Sequence, residues 1–133
     1  MTDFRSDDVA AIRDVLANSY RAWARGDAAG MVEAYTDEAT AIMPGVLRVG
    51  RDVIRESMAA GFAGPLAGTS TINEQLSIRF VGTNAAIILT ESGILFPGQS
   101  EVPLDDRVNC TWVLEKRDGN WLIAAYHNSP ARV

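Results

Sequence analysis

Ile72-Asn73-Glu74-Gln75-Leu76-Ser77-Ile78-Arg79-Phe80 alternates apolar and polar residues, breaks at Gly82-Thr83, and is followed by a second apolar-rich run from Ala85 to Leu95. A side-chain period of two marks a β-strand with one face on a core, and a glycine-containing pair between two such runs marks a tight hairpin. Two more stretches, Val102 to Leu114 and Trp121 to Ser129, follow the turn signals Gly98-Gln99 and Asp118-Gly119. Two-residue loops then fix the partners. Glu74 falls opposite Glu91, Leu76 opposite Leu89 and Ile78 opposite Ile87. The next hairpin sets Ile87 against Cys110, Leu89 against Val108 and Glu91 against Asp106. The last sets Cys110 against His127, Trp112 against Ala125 and Leu114 against Ile123. All three registers select one apolar face, and a slip of one residue would turn a whole strand over.

The expected inner face carries Ile72, Leu76, Ile78, Phe80, Ile87, Leu89, Leu95, Val102, Leu104, Val108, Trp112, Leu114, Trp121 and Ile123. Glu74, Glu91 and Asp106 share a row on it, with His127 nearby. The other face has Arg79, Thr90, Arg107, Asn109, Thr111 and Asn128, but also Ile88, Ile94, Phe96, Val113, Leu122 and Tyr126. That is too apolar for open solvent and predicts a homodimer joined sheet to sheet, with two-fold symmetry.

Upstream, Ser6 is a candidate cap for a helix with Asp7 and Asp8 in its first turn. Val9, Ile12, Leu16, Ser19, Tyr20 and Trp23 recur at helical spacing until Gly26. Asp27 is placed to cap a second helix through about Thr36, with Met31, Val32 and Tyr35 on its apolar side. Ala39 to Met43 and Val46 to Val49 read as a short hairpin around Pro44-Gly45, and a third helix runs from about Arg51 to Phe62. Helices first and long strands afterwards make an α+β layout, with helices one and three covering the sheet.

A chain of 133 residues, 47% hydrophobic, is expected to form one domain over 1–133. A net charge of -5 without a basic stripe argues against a nucleic-acid partner. Cys110 has no intrachain cysteine to pair with, which fits a reducing compartment, and one Cys and one His cannot make a zinc site. The segment Met1 to Asp8 lacks the basic and then apolar pattern of a signal peptide, and no apolar run approaches ~20 residues. The reading is a cytoplasmic protein with no membrane association.

Three local patterns, Trp23-Ala24-Arg25-Gly26-Asp27, Gly50-Arg51-Asp52-Val53-Ile54 and Asp118-Gly119-Asn120-Trp121-Leu122-Ile123-Ala124-Ala125-Tyr126-His127-Asn128, occur in this order. Together they resemble the NTF2-like superfamily, in particular its SnoaL-like, SgcJ/EcaC-type branch, over nearly the whole chain. The resemblance implies a conical α+β fold, with three N-terminal helices closing a strongly curved, mainly antiparallel sheet around a hydrophobic cavity, commonly in a dimer. It also implies an association with polyketide or enediyne biosynthesis, and hence a polyene or polyketide-like ligand. Ketosteroid isomerases share the superfamily, but where their aspartate base precedes a proline this chain has Met43 before Pro44. Their helical hydroxyl donor falls on or beside Ser19 and Tyr20, and their second acid maps near Asn109 to Thr111, none of which is acidic. No Gly-x-Gly-x-x-Gly turn follows a strand, so no cofactor is expected.

Glu74 and Glu91, side by side against leucines, would resist joint ionisation, and the imidazole of His127 is a side chain of the type suited to proton exchange near neutrality. These three form the candidate catalytic set. Tyr20, Trp23, Met43, Phe62 and Trp112 are the candidate ligand contacts. A cofactor-independent cyclase, dehydratase or isomerase is one reading; a non-catalytic protein that shelters an intermediate or assists a synthase is the other. For each residue a structural role stays open: the glutamates as hydrated rim groups bridged to Arg48 or Arg51, His127 as a strand-end histidine, the tryptophans as core anchors.

Overall fold

The computed structural model describes residues 5–132. Met1 to Phe4, part of the segment read as lacking a signal peptide, and Val133 lie outside the described residues. Helix α1 spans Ser6–Ala24 and buries Ile12, Leu16, Ser19 and Ala22. Its N-cap is Arg5, with Ser6 already the first helical residue, so the expected serine cap is corrected by one position. Asp7 and Asp8 do occupy the first turn, and Gly26, at φ 67°, carries the chain out of the helix. Among the described residues no helix is long and apolar enough to cross a membrane.

Helix α2 is only Ala28–Met31, capped by the Asp27 carboxylate, which accepts from the Gly30 amide at 2.9 Å. It does not reach Thr36, because strand β1, Tyr35–Met43, begins instead. One helical turn containing a glycine has little stability of its own. Pairing with the last strand supplies more: the Ile123 amide donates to the Ala34 carbonyl at 2.7 Å. Strand β2, Val46–Val49, returns antiparallel on β1 through Pro44-Gly45, and α3, Arg51–Phe62, turns Ile54 and Met58 inward.

Strands β3 (Ser70–Val81), β4 (Ala85–Leu95), β5 (Val108–Arg117) and β6 (Asn120–Pro130) complete a six-stranded sheet in the order β2-β1-β6-β5-β4-β3. Only β1 and β6 run parallel; every other pair is antiparallel. The α+β architecture is as expected, with α1 over β3 and β6 and α3 over β1. The core between the layers includes Ile12, Leu16, Ile54, Ile88, Leu114 and Ile123.

Three local events change which side chains face that core. Glu74 does pair with Glu91, but Leu76 is an extra residue in β3: Gln75 pairs with Thr90, and Ser77 rather than Leu76 pairs with Leu89. The turn at Gly98 forms, with the Gln99 amide donating to Phe96 O at 3.0 Å, yet the chain does not re-enter the sheet until Val108. Pro103 offers no N–H to a ladder, and Leu104–Asp106 coil into a 3-10 turn. The β4–β5 register therefore moves by an odd number, so that Ile87 faces Val113 instead of Cys110 and Glu91 faces Asn109 instead of Asp106. Leu114 meets Ile123 as expected, but Ala124 is a second bulge, after which Trp112 pairs with Tyr126 and Thr111 with His127. An odd insertion reverses every side chain beyond it. Ile88, Thr90, Ile94, Tyr126 and Asn128 consequently face inward, while Leu76 and Leu89 lie on the outer face, 54% and 40% exposed.

Candidate functional site

Between sheet and helices lies a cavity of about 350 Å³. Its walls begin in a transverse row of the sheet, since cross-strand partners share a face: Arg48, Ala41, Tyr126, Trp112, Ile88 and Ile78 are successive neighbours from β2 to β3. Of these, Arg48, Ala41, Tyr126 and Trp112 border the cavity. Helix α1 contributes Ser19, Tyr20 and Trp23, and α3 contributes Ile54 and Met58. The exposed residues Phe96, Gln99 and Asp106, from the connection after β4, mark its open side.

The aromatic wall is continuous. Tyr20 meets Trp112 edge-on with centroids 6.0 Å apart, and Trp112 lies 4.5 Å from Tyr126. Buried polar atoms around it are hydrogen-bonded, as burial demands. The Trp112 indole donates to Thr90 Oγ1 at 3.3 Å, and Thr90 is 3.0 Å from Ser92 Oγ, which explains two inward hydroxyls on β4. Trp23 donates its indole N–H to Thr69 Oγ1 at 2.9 Å. Ser19 donates to the Met31 carbonyl at 2.9 Å.

Tyr126 is held from one side. Asn128 Nδ2 donates to its phenolic oxygen at 2.7 Å, and Cys110 Sγ lies 3.3 Å away. With an N–H pointing at the oxygen, the phenol's own proton is directed elsewhere, either to the sulfur or to an acceptor in the cavity. Burial, reinforced by Cys110, pushes the Tyr126 phenol well above its ordinary pKa; burial does the same for Tyr20. Both are neutral donors across the physiological range. Tyr35, also in the lining, is raised likewise by burial.

The expected catalytic set does not enter this space. Glu74 and His127 are exposed, and all three residues of the set lie on the outer face: Glu91 is opposite Glu74, and His127 sits between Ile42 and Thr111. Glu91 instead pairs with Arg107 at 3.5 Å and Arg132 at 3.6 Å, not with Arg48 or Arg51. The cause is the odd register shift and the bulge at Ala124, which turn these side chains away from the helices. Of the expected ligand contacts, Tyr20, Trp23, Met43 and Trp112 border the cavity. Phe62 does not; it packs edge-on against Trp23 at 5.5 Å, supporting it from behind. Asp106 borders the cavity, though not as a row-mate of Glu91, and it is the lone carboxylate among the lining side chains.

Sequence reasoning missed Tyr126, Asn128 and Arg48 as cavity residues. Tyr126 and Asn128 flank His127, so choosing the opposite parity in β6 would have found both. Arg48 faces Ala41 across a hairpin whose turn was correctly read, and following that pairing into β6 would have placed it in the row.

The SnoaL-like domain family matches residues 12–132. Among solved structures, a domain of unknown function with a cystatin-like fold from Nostoc punctiforme superposes with a TM-score of 0.88 at 26% identity, over 96% of this chain and 80% of that one. An NTF-2 like protein of unknown function from Shewanella oneidensis gives 0.72 at 23% identity, over 92% and 98%. A ketosteroid isomerase-like protein from Erwinia carotovora atroseptica gives 0.71 at 18% identity, over 96% and 99%, a likeness of fold. No curated protein matches the chain. With the family matched from the first helix to the last strand, and helices closing a six-stranded sheet over a pocket, the chain belongs to the SnoaL-like domain family and has an NTF2-like fold.

Proposed function

We propose that this protein binds a bulky, mainly apolar small molecule in the cavity between helices and sheet, and that it does so in natural-product biosynthesis of the polyketide or enediyne type, as the SgcJ/EcaC-type resemblance implies. The observation that carries the binding reading is the cavity itself: about 350 Å³ bordered by Tyr20, Trp23, Met43 and Trp112, with the Tyr126 hydroxyl held ready by Asn128. Apolar walls with a few convergent polar groups suit recognition of a small molecule. The role is sheltering or presenting the ligand, because Met43 occupies the isomerase base's place and Glu74, Glu91 and His127 lie across the sheet.

A catalytic reading has one observation in its favour. A neutral phenol in an apolar cavity polarises a carbonyl, and Asp106 at the open side is a carboxylate able to take a proton. Asp106→Asn in a reconstituted pathway separates the two: unchanged product supports sheltering, and loss of product with binding retained supports catalysis.

Binding itself is tested by tryptophan quenching with anthracene and with parinaric acid methyl ester, in the wild type and in Ala41→Phe. Ala41 is 5% exposed and borders the cavity between Arg48 and Tyr126, so a phenyl ring there fills it. Saturable quenching in the wild type that Ala41→Phe abolishes is expected. Binding that survives the substitution would place the ligand elsewhere.

The outer sheet face, with Leu76, Leu89 and Leu47 exposed, we propose as the contact with a second copy of the chain. Sedimentation equilibrium at micromolar concentration is expected to return twice 14.4 kDa.

A further inference from the structure

We propose that Arg48 anchors the anionic head of the cavity's ligand, which makes that ligand a lipophilic carboxylic acid. The inference rests on the cavity being a binding site, and it adds the chemical class of what binds.

Arg48 is half-buried on the inner face of β2 and borders the cavity. Its single side-chain hydrogen-bond partner among the described residues is a thioether: Nη1 lies 3.5 Å from Met58 Sδ. No ion pair among the described residues includes it. Sulfur is a weak acceptor, and the other guanidinium nitrogens of Arg48 have no hydrogen-bond partner among the described residues, which leaves them free to donate. Arg51 pairs with Asp37 at 2.8 Å and Arg107 with Glu91 at 3.5 Å; Arg13, Arg21 and Arg79 also lack an ion pair among the described residues, but none of them borders this cavity. Asp106, also in the lining, makes no ion pair with Arg48 or with any other described residue. A cation with no carboxylate within ion-pair distance among the described residues, in the wall of an apolar cavity, is a receptor for an anion.

The site also limits which anion. The planar guanidinium matches a carboxylate through two parallel hydrogen bonds. Arg48 is the lone cation in the lining and shares it with Asp106, so a single negative charge suits it better than a dianionic phosphate. Only Ala41 separates Arg48 from Tyr126 along the row, two strand spacings or about 10 Å. A ligand with its carboxylate on Arg48 thus lays its apolar body over Ala41 toward Trp112, and Tyr126 can donate to an oxygen part-way along it.

The test compares each acid with its uncharged ester: anthracene-2-carboxylate and parinarate beside their methyl esters at pH 7.5, by tryptophan quenching, in the wild type, Arg48→Met and Arg48→Lys. The wild type is expected to bind the acids about tenfold to a hundredfold more tightly than the esters, the range of a charge-assisted pair. That preference should shrink with added salt. Arg48→Met should bind acid and ester alike, and Arg48→Lys should keep part of the preference. Equal binding of acid and ester by the wild type would overturn the anchor and leave the cavity reading intact. So would a preference that survives Arg48→Met. If neither acids, esters nor anthracene bind, the cavity reading fails and this inference with it. Should Arg48→Met not fold, the wild-type comparison and its salt dependence decide.

Discussion

Gly93→Ala should loosen the cavity wall, which Gly93 borders, by pressing on Val102. A Cβ on Gly93 would lie 2.7 Å from Val102 Cγ1 and 3.3 Å from both Val102 Cβ and Cγ2. All three atoms belong to one β-branched side chain, so rotation about χ1 brings another methyl or the hydrogen into the same space. Val102 cannot swing outward cheaply either, being 2% exposed. Either β4 or the connection after it must therefore move, and overpacking of this kind costs about 1–3 kcal/mol. For a domain of this size that is roughly a 3–10 °C fall in Tm. The connection carries Phe96, Gln99 and Asp106 in the cavity wall, so ligand dissociation should also quicken. Val102→Ala alone removes two buried methyls and should destabilise as well. The double variant Gly93→Ala/Val102→Ala should fall short of the summed losses by about 1–2 kcal/mol, since each change makes room for the other. Thermal denaturation followed by circular dichroism measures all four proteins of the cycle. Strict additivity, or a neutral Gly93→Ala, would show that Val102 does not occupy this notch and that the rim is built differently.

Tyr126→Phe removes the donor that Asn128 orients; a ligand with a carbonyl part-way along its body should bind about tenfold more weakly, with Tm little changed, in calorimetric titration. Trp112→Ala should lose about 3–5 kcal/mol in chemical denaturation and abolish binding, since this indole is both core and cavity wall. Asp8 accepts from the Trp121 indole at 3.0 Å and from Lys116 at 3.0 Å, and these two partners hold its carboxyl below the ordinary carboxylate pKa. A depressed folded-state pKa stabilises the fold above the ordinary value, near 4, and the benefit is lost as pH falls through the lower folded value. Asp8→Asn should therefore lower Tm at pH 7 and converge with the wild type in acid; an equal deficit at pH 7 and pH 2.5 would disprove the linkage. Leu89→Arg, on the outer face, should convert the proposed dimer to monomer with the cavity's affinity preserved, as read by sedimentation and quenching.

The layout of helices and strands was legible because each element carries its own period and punctuation, from the helical spacing of Ile12, Leu16 and Ser19 to the turns at Gly45, Gly82 and Gly119. The cavity was legible as an idea and only partly as residues. Ile87, Ile88 and Leu89 are all apolar, so alternation within β4 does not say which face is inner. The decision then rests on register, and register was tied to a two-residue turn at Gly98-Gln99. Pro103, inside the stretch read as strand, was the signal against that turn. The bulges at Leu76 and Ala124 left no composition signal, since both residues suit a strand. One odd insertion is enough to exchange Tyr126 for His127, which is how a neutral phenol came to stand where an imidazole was expected.

Fluorine NMR of protein labelled with 5-fluorotryptophan addresses the central claim most directly. Trp23 and Trp112 border the cavity, whereas Trp121 is buried away from it and tied to Asp8. Adding anthracene-2-carboxylate should shift the Trp23 and Trp112 resonances in step with occupancy and leave Trp121 where it was. Saturable binding that leaves Trp112 unmoved would mean that the ligand lies outside the space between helices and sheet.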